Sequence, residues 1–504
     1  MSALVAALLA LLFQPSSADH ALARVDAAYD GLQHYFFQRK DGFWKACGQN
    51  GGLGHAPSRF DCVCEKGTPF CKNCYRWWMA VALQSLVSLN EAIPSGHSSL
   101  NTTRQLIDTM RQRSPYTLRA QPSWAYIDDY LWYVLMWLDV YRWLGHESDL
   151  TEAAATFDLM TRWADDTSCG GIVWMYPDTD PRKNAITTLE AMQASAQLAV
   201  AFEARGDAAR ARGYRKRARA LWAFFDDVSL LGNESLVHDN VTGSAHGAFH
   251  CCNGHEAPIC KPRGTLTWTY NQGMFLGAMA DMHALTKDAH YLALGAAVLD
   301  AVVTKLAAGT AGAATAASEG GPQSGPAPPT GAALDASRVR RDAMDDDERH
   351  LLAEEPQEAA AVLHEPVALT IRSTQCDATH DPSSPAGGDL FSFKAVFMQH
   401  LPRFVQVANA SGALTAAQHA AAVRLVAGSA DAAWSSRILP PFPAIDICHA
   451  PSERGVGTPS GLPKFTWNWG ALPTAAGEYT CLDARTQAQA LSLFVAHLRM
   501  AGTT

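Results

Sequence analysis

The chain has 504 residues, 48% hydrophobic and 18% charged, enough apolar side chain to build one large domain or two ordinary ones. Its formal net charge of −9 argues against a nucleic-acid or anionic-membrane partner. Residues 1–18, MSALVAALLALLFQPSSA, carry an apolar run from Ala3 to Phe13 followed by small residues, the pattern of a secretory signal peptide cleaved near Ala18, although no Lys or Arg precedes the run. The run is too short to span a bilayer, and no later segment reaches about 18 uninterrupted apolar residues. The expectation is a secreted or cell-surface protein without a membrane span.

Twelve cysteines fit an oxidising compartment. Four of them form Cys62-x-Cys64-x6-Cys71-x2-Cys74, a spacing that also suits zinc. In a secreted chain the expectation is disulfides and no resident metal. The same holds for His246, His250, Cys251, Cys252, His255 and Cys260, which lack a regular ligand spacing. Sequons at Asn101, Asn233, Asn240 and Asn409 agree with passage through a glycosylating compartment.

Apolar periodicity predicts helices at 20–37, 74–91, 100–112, 128–144, 149–164, 185–205, 207–227, 269–285, 289–306, 390–409, 415–430 and 484–500. Short polar turns such as Gly145–Ser148, Arg205–Asp207 and Lys287–Asp288 make neighbouring helices antiparallel. Twelve helices so paired give six hairpins, which close into an all-α double-walled barrel. Strand-like pieces are few: Gly171–Trp174 and Ser235–Val241, both expected in loops at one mouth. Residues 307–362 are Ala/Gly/Pro/Ser-rich and then acidic, and cannot bury enough apolar surface to offset ordering. They read as a disordered insertion dividing one helical domain into 19–306 and 363–504. Residues 432–483 are loop-rich and are expected to wrap the barrel.

The chemistry starts at Trp124–Trp143, WAYIDDYLWYVLMWLDVYRW. Asp128 and Asp129 head a helix that is otherwise almost wholly apolar, and such a helix belongs inside a protein. Trp132 and Tyr133 lie one turn beyond the two acids, so aromatic faces flank them. Flat rings beside paired acids suit a sugar and its glycosidic bond. The plainer reading is that these aspartates only cap the helix.

Further motifs follow in order: Trp163-Ala-Asp-Asp-Thr-Ser-Cys-Gly-Gly-Ile-Val-Trp174, Lys183-Asn184-Ala185-Ile186, Leu236-Val-His-Asp239, Trp268-Thr-Tyr-Asn-Gln-Gly273, Phe393-Lys394-Ala395-Val396-Phe397 and Thr486-Gln487-Ala488. The ordered set resembles glycoside hydrolase family 76, the α-1,6-mannanases and related fungal cell-wall transglycosidases. The resemblance implies an (α/α)6 barrel and an Asp–Asp pair acting with retention of anomeric configuration, Asp128 as nucleophile and Asp129 as acid/base. In a retaining enzyme one carboxylate attacks the anomeric carbon while another, about 5–5.5 Å away, protonates the leaving oxygen. Adjacent helical residues can straddle a bond in that way.

Lys183 and Asn184 carry over from the family pattern as groups lining the cleft, against ordinary helix capping. Trp174 and Trp268 are read as stacking on mannose rings, Asp239 as bonding sugar hydroxyls, and Tyr270, Asn271 and Gln272 as reaching into the mouth. His238 and Asn240 depart from the family pattern beside Asp239. The leading expectation is an endo-acting, retaining enzyme, a monomer without a cofactor, on α-mannan chains. The alternatives are a transglycosidase of mannan or GPI-type glycans, a glycan-binding protein without catalysis, and a zinc-stabilised interaction protein built round Cys62–Cys74.

Overall fold

The computed structural model describes residues 17–38, 42–44, 63–64, 71–72, 77–93, 96–113, 125–163, 170–176, 183–241, 266–309, 361–365, 390–439, 462–465, 469 and 484–501. Twelve α-helices run through them: α1 (Ser17–Phe36), α2 (Trp77–Ala92), α3 (Ser99–Arg113), α4 (Ile127–Leu144), α5 (Glu147–Met160), α6 (Ala185–Ala204), α7 (Ala208–Asp227), α8 (Thr269–Thr286), α9 (His290–Lys305), α10 (Leu390–Ala410), α11 (Ala416–Ser435) and α12 (Ala484–Ala501). Each expected helix is present, with ends within a few residues except for α11, which runs on through Ser435.

Two kinds of helix alternate. In α7 the buried side chains are Ala211, Tyr214, Ala218, Leu221, Phe224 and Phe225, one stripe at three- and four-residue steps, and its other face is basic and exposed. In α6 every residue from Ala185 to Ala196 is buried, so no face remains for water. The even-numbered helices are of this second kind and form a closed ring, in which α2, α4, α6, α8, α10 and α12 each pack on the next and α12 returns to α2. The odd-numbered helices lie outside: α3 on α2, α5 on α4, α7 on α6, α9 on α8, and both α1 and α11 on α12. This is the (α/α)6 barrel. Alternation makes the inner helices parallel, so their N-termini share one mouth.

Local chemistry sets the turns. α4 stops at Gly145, whose φ of 73° places it in the left-handed region while its N–H reaches the Tyr141 carbonyl at 2.8 Å. Asp207 caps α7 by accepting from Arg210 N, and Thr415 with Gln418 makes a capping box at α11. In the inner ring, a Cβ at Gly273 of α8 would stand 2.3 Å from Phe397 Cα of α10, so these two backbones touch.

At the mouth, two short ribbons pin the loops that precede inner helices. Ala125–Tyr126 pairs with Met175–Tyr176 ahead of α4, and Lys183–Asn184 pairs with Asn240–Val241 ahead of α6. The expected strand pieces fall beside these, the first one turn early. The segment 307–362 is ordered at its ends. Ala307–Gly309 pairs antiparallel with Ala361–Leu363, Gly309 opposite Ala361. The interior, 310–360, lies outside the described residues, as do residues 1–16, Cys62, Cys74 and 244–264. Cys64 stands opposite Cys71 in backbone register. Among the described residues no three metal-ligating side chains gather, and no described helix is long and apolar enough to cross a membrane.

The paired ends of 307–362 give a direct test of the insertion. Replacing 310–360 by an Asn-Gly turn should preserve the fold, because Gly309 and Ala361 already face each other as the ends of a hairpin do. Loop closure also changes little with length. The melting temperature should stay within about 3 °C, roughly 1 kcal/mol for a domain this size. A larger drop would mean that 310–360 packs on the barrel.

Candidate active site

Asp128 and Asp129 sit in the first turn of α4 without being its cap. The N-cap is Tyr126, in extended conformation and with no side-chain capping bond. The ribbon fixes this start, since Ile127 N donates to the Trp174 carbonyl at 2.8 Å. Both carboxyls are half-buried. Asp128 receives two N–H donors: its own neighbour's backbone, Asp129 N, to Oδ1 at 3.1 Å, and Trp174 Nε1 to Oδ2 at 3.0 Å. The Trp174 ring lies over Tyr126, centroids 4.7 Å apart. Trp174 thus orients an acid as well as offering an aromatic surface. Trp132 is buried and stacks at 5.4 Å on Trp77 from the head of α2.

A second cluster is built on α8. Tyr270 OH and Asn271 Nδ2 donate to Asp239 Oδ1 at 3.2 and 3.0 Å, and Asn240 Nδ2 donates to Oδ2 at 3.0 Å. The Tyr270 ring stacks on Phe393 of α10 with centroids 4.0 Å apart and planes 6° apart. Its hydroxyl is pushed well above its usual pKa by burial first, then by the charges of Asp239 and Asp128. Tyr270 therefore faces both Asp239 and Asp128, which joins the two clusters. Trp268 is buried edge-on to Phe393 at 5.7 Å.

Three expected site residues are engaged with the scaffold. Asn184 caps α6, its Oδ1 accepting from Thr187 N at 3.3 Å and Thr187 Oγ1 at 2.5 Å. Lys183 is buried and donates Nζ to the Gly170 carbonyl at 2.5 Å, holding the loop that leads to Trp174. Gln272 uses both ends of its amide on backbone. Nε2 donates to the Val237 and Trp268 carbonyls, and Oε1 accepts from Val237 N at 2.8 Å. It clamps the loop that carries Asp239.

Sequence reasoning missed Glu190. It lies on α6, fully buried, and neither carboxyl oxygen has a partner among the described residues. Burial raises its pKa well above the usual carboxylate range, and the neighbouring charges of Asp128 and Asp129 raise it further. The barrel therefore holds a third acid against the pair, and burial favours its neutral form. One signal was available: Glu190 is the only charge in α6 before Glu203. Also missed was the pair of Glu365 and Lys394. Glu365 accepts from Thr269 N at 3.1 Å and from the Thr269 hydroxyl, and burial raises its pKa. Lys394 Nζ lies 4.2 Å from the centre of the Trp469 ring, and burial brings it down to about 8.

The model for glycosyl hydrolase family 76 matches residues 23–319, more than half of the chain. A search of curated proteins returned no match. Among solved structures, one similar protein is an inactive variant of the α-1,6-mannanase of Salegentibacter sp. HEL1_6, with two consecutive aspartates changed to asparagine, in complex with α-1,6-mannotriose. The TM-score is 0.58 at 15% identity, over 95% of this chain and 99% of that one. A family 76 mannosidase of Bacteroides thetaiotaomicron VPI-5482 gives 0.58 at 14% identity, covering 96% and 99%. Dfg5 from Chaetomium thermophilum, in complex with glucosamine, gives 0.55 at 15%, covering 95% and 90%.

Two outcomes test the site. Trp174→Phe keeps the ring and removes the N–H donor to Asp128. A hydrogen bond to a charged group contributes about 1.5–3 kcal/mol, so kcat/KM should fall roughly ten- to hundredfold with the fold unchanged. Glu190→Gln should alter stability with a defined pH dependence. Below a pH of about 4.5, Glu190 is protonated folded or unfolded and the two proteins should melt alike. Above it, the unfolded wild-type chain gains by ionising while the folded one does not, so wild-type stability falls. The Gln variant should accordingly melt increasingly higher than wild type as pH rises. A pH-independent difference in thermal scans would show that Glu190 is ionised in the fold.

Proposed function

Because the chain belongs to glycosyl hydrolase family 76, we propose that it cleaves α-1,6-mannosidic bonds inside mannan chains with retention of configuration. One observation carries this reading: adjacent carboxyls, Asp128 and Asp129, open an inner helix at the mouth of the barrel. The Salegentibacter mannanase is inactive when two consecutive aspartates become asparagine, and its variant is complexed with α-1,6-mannotriose. The same pairing in this chain supports the same assignment.

In this mechanism Asp128 attacks the anomeric carbon while Asp129 protonates the departing glycosidic oxygen. Water then attacks the glycosyl–Asp128 ester, giving its proton to Asp129. Trp174 Nε1 and Asp129 N aim the Asp128 carboxylate before substrate arrives, so little reorganisation is left for the reaction. Asp239, fixed by Tyr270, Asn271 and Asn240, supplies acceptors for sugar hydroxyls. The apolar run and small residues of 1–18, read as a secretory leader, support action outside the cell.

Likeness to Dfg5 favours a second reading, in which a sugar hydroxyl replaces water and the glycosyl group is transferred. Both readings share the covalent intermediate. Incubation with linear α-1,6-mannan separates them, since hydrolysis lowers mean chain length and releases reducing ends, whereas transfer creates chains longer than those supplied.

Asp129→Asn should lower kcat by about 10²–10⁴-fold, the range for losing a general acid/base, and Asp128→Asn by at least as much, because an amide cannot form the intermediate. Both variants should melt like wild type. Turnover within tenfold of wild type in both would remove the assignment.

The first product should be the α-anomer. Inversion needs carboxyls about 6.5–9.5 Å apart with a water between them, and consecutive residues of one helical turn hold theirs closer. Proton NMR of fresh product, recorded before mutarotation, reads this directly. A β-anomer appearing first would transfer one role to another acid, Asp239 being the acid already in the cluster.

A further inference from the structure

The helix that carries Tyr270 and Asn271 begins without a cap of its own. Trp268 stands at the N-cap of α8, with φ −52° and ψ 144°, and makes no side-chain capping bond. An indole accepts no hydrogen bond, so the first amides of the helix lack a local acceptor. The acceptor comes from 96 residues away in the chain. Glu365 Oε2 accepts from Thr269 N at 3.1 Å, and Oε1 accepts from the Thr269 hydroxyl. An acid in that place also meets the positive end of the helix dipole.

Glu365 reaches α8 on a fixed support. It follows the strand Ala361–Leu363, which pairs with Ala307–Gly309. Leu363 N donates to Ser429 Oγ of α11 at 3.1 Å, and His364 N donates to the Leu306 carbonyl at 2.9 Å. A Cβ at Gly428 of α11 would stand 2.4 Å from the Ala361 carbonyl oxygen, so the strand lies hard against that helix. Burial raises the pKa of Glu365, while its bonds from Thr269 and the facing charge of Lys394 lower it. The strand that closes the 310–360 segment thus delivers an acid, with a cation opposite, to the barrel mouth.

The turn it holds is the one that holds Asp239. Tyr270 OH and Asn271 Nδ2, on the two residues after Thr269, donate to the same oxygen, Asp239 Oδ1. Successive helical residues point about 100° apart, so their convergence on one atom depends on where the helix begins. Gln272 of the same turn binds the Val237 N–H and carbonyl, two residues before Asp239. The Tyr270 ring stacks on Phe393, which directly precedes Lys394 in α10. A shift at the start of α8 would therefore move every contact that aims Asp239.

We propose that Glu365 is a positioning residue for the reaction: by accepting from Thr269 it fixes the start of α8, and through Tyr270, Asn271 and Gln272 it aims Asp239 at the sugar. The inference rests on Asp239 serving as an acceptor for sugar hydroxyls, as proposed above. A cap that only stabilised the barrel would leave substrate affinity unchanged, so kinetics separate the two roles.

The test uses the full chain and linear α-1,6-mannan. Thr269→Val removes the hydroxyl donor and keeps the branched shape, and Thr269→Ser restores the hydroxyl. Bonds to sugar hydroxyls form before the reaction as well as during it, so Thr269→Val should raise KM about fivefold or more with kcat within about threefold. Thr269→Ser should keep both constants within about twofold of wild type, and Glu365→Gln should raise KM at least as far as Thr269→Val. In an Asp239→Asn background Thr269→Val should change KM by less than about twofold, because its effect runs through Asp239. Amide hydrogen exchange reads the same role without turnover: in Glu365→Gln it should quicken at 269–272 and at 237–241, with α4 and α6 as protected as in wild type. If Glu365→Gln does not fold, Thr269→Val carries both readouts. Should the wild type leave mannan uncut, the reaction assignment falls, and the exchange pattern still decides for Glu365. An unchanged KM in both variants, an equal rise in the Asp239→Asn background, or faster exchange confined to 269–272 would each overturn the proposal and leave Glu365 as a cap alone.

Discussion

Closing six parallel helices into a ring forces six helix N-termini to converge on one mouth, and the chemistry of this molecule depends on that convergence. Each terminus presents unpaired N–H groups and the positive end of its dipole. A carboxylate placed there gains what an acid buried elsewhere would lack. Asp128 and Asp129 occupy such a place on α4, and Asp128 collects a backbone N–H of its own first turn. Glu190, further along α6 and without such donors among the described residues, has its neutral form favoured by burial. Further down the inner helices, Asp139 and Asp281 find their partners in Arg142 and Arg403, so the donors within reach set the state of each acid.

The same mouth must be held open, and buried amides do much of that work. Gln272 binds the Val237 backbone at both N–H and carbonyl, in the manner of a strand neighbour, and so fixes the loop bearing Asp239. Gln487, at the head of α12, donates to the Ala28 and Pro463 carbonyls and accepts from Phe465 N, tying α1 and the 462–465 segment to the ring. Leaving any of these groups unpaired would cost about 1–3 kcal/mol, so each amide stabilises its loop in one register. The motifs Trp268–Gly273 and Thr486–Ala488 therefore each contain a residue that fixes the scaffold.

The helices and the aspartate pair were legible because both are local signals. A 3.6-residue period survives in any window, and two acids at the head of an apolar helix stand out from their neighbours. Glu190 was not legible, because a lone charge in a helix that is buried all round gives no indication of which inner helix it will face. The link between Glu365 and Thr269 spans 96 residues, and the contact of Lys394 with Trp469 spans a loop. Sequence spacing carries neither. The roles of Asn184 and Gln272 failed to show for another reason: amides suit sugars and backbone equally, and only the fold reveals which partner is in reach.

The two acids of the pair are not equivalent in the fold, and the difference bears on their roles. Asp128 has a donor on each oxygen, one of them the rigid indole of Trp174, whose own loop is held by the Lys183 bond to Gly170. A nucleophile benefits from such restraint, since its attacking oxygen must be aligned with a single carbon. An acid/base has to lose and regain a proton, and that is easier where the environment favours neither state strongly. Asp129 borders Tyr130, whose hydroxyl is pushed up to about 12 by burial and by the Asp129 charge, while Glu190, raised by burial, feels the charge of Asp128 first and then that of Asp129. Ionising either neighbour would place a second negative charge beside Asp129. Burial raises the pKa of both groups, and the charges of the aspartates add to that rise. The restraint on both oxygens of Asp128 supports the nucleophile role proposed for it.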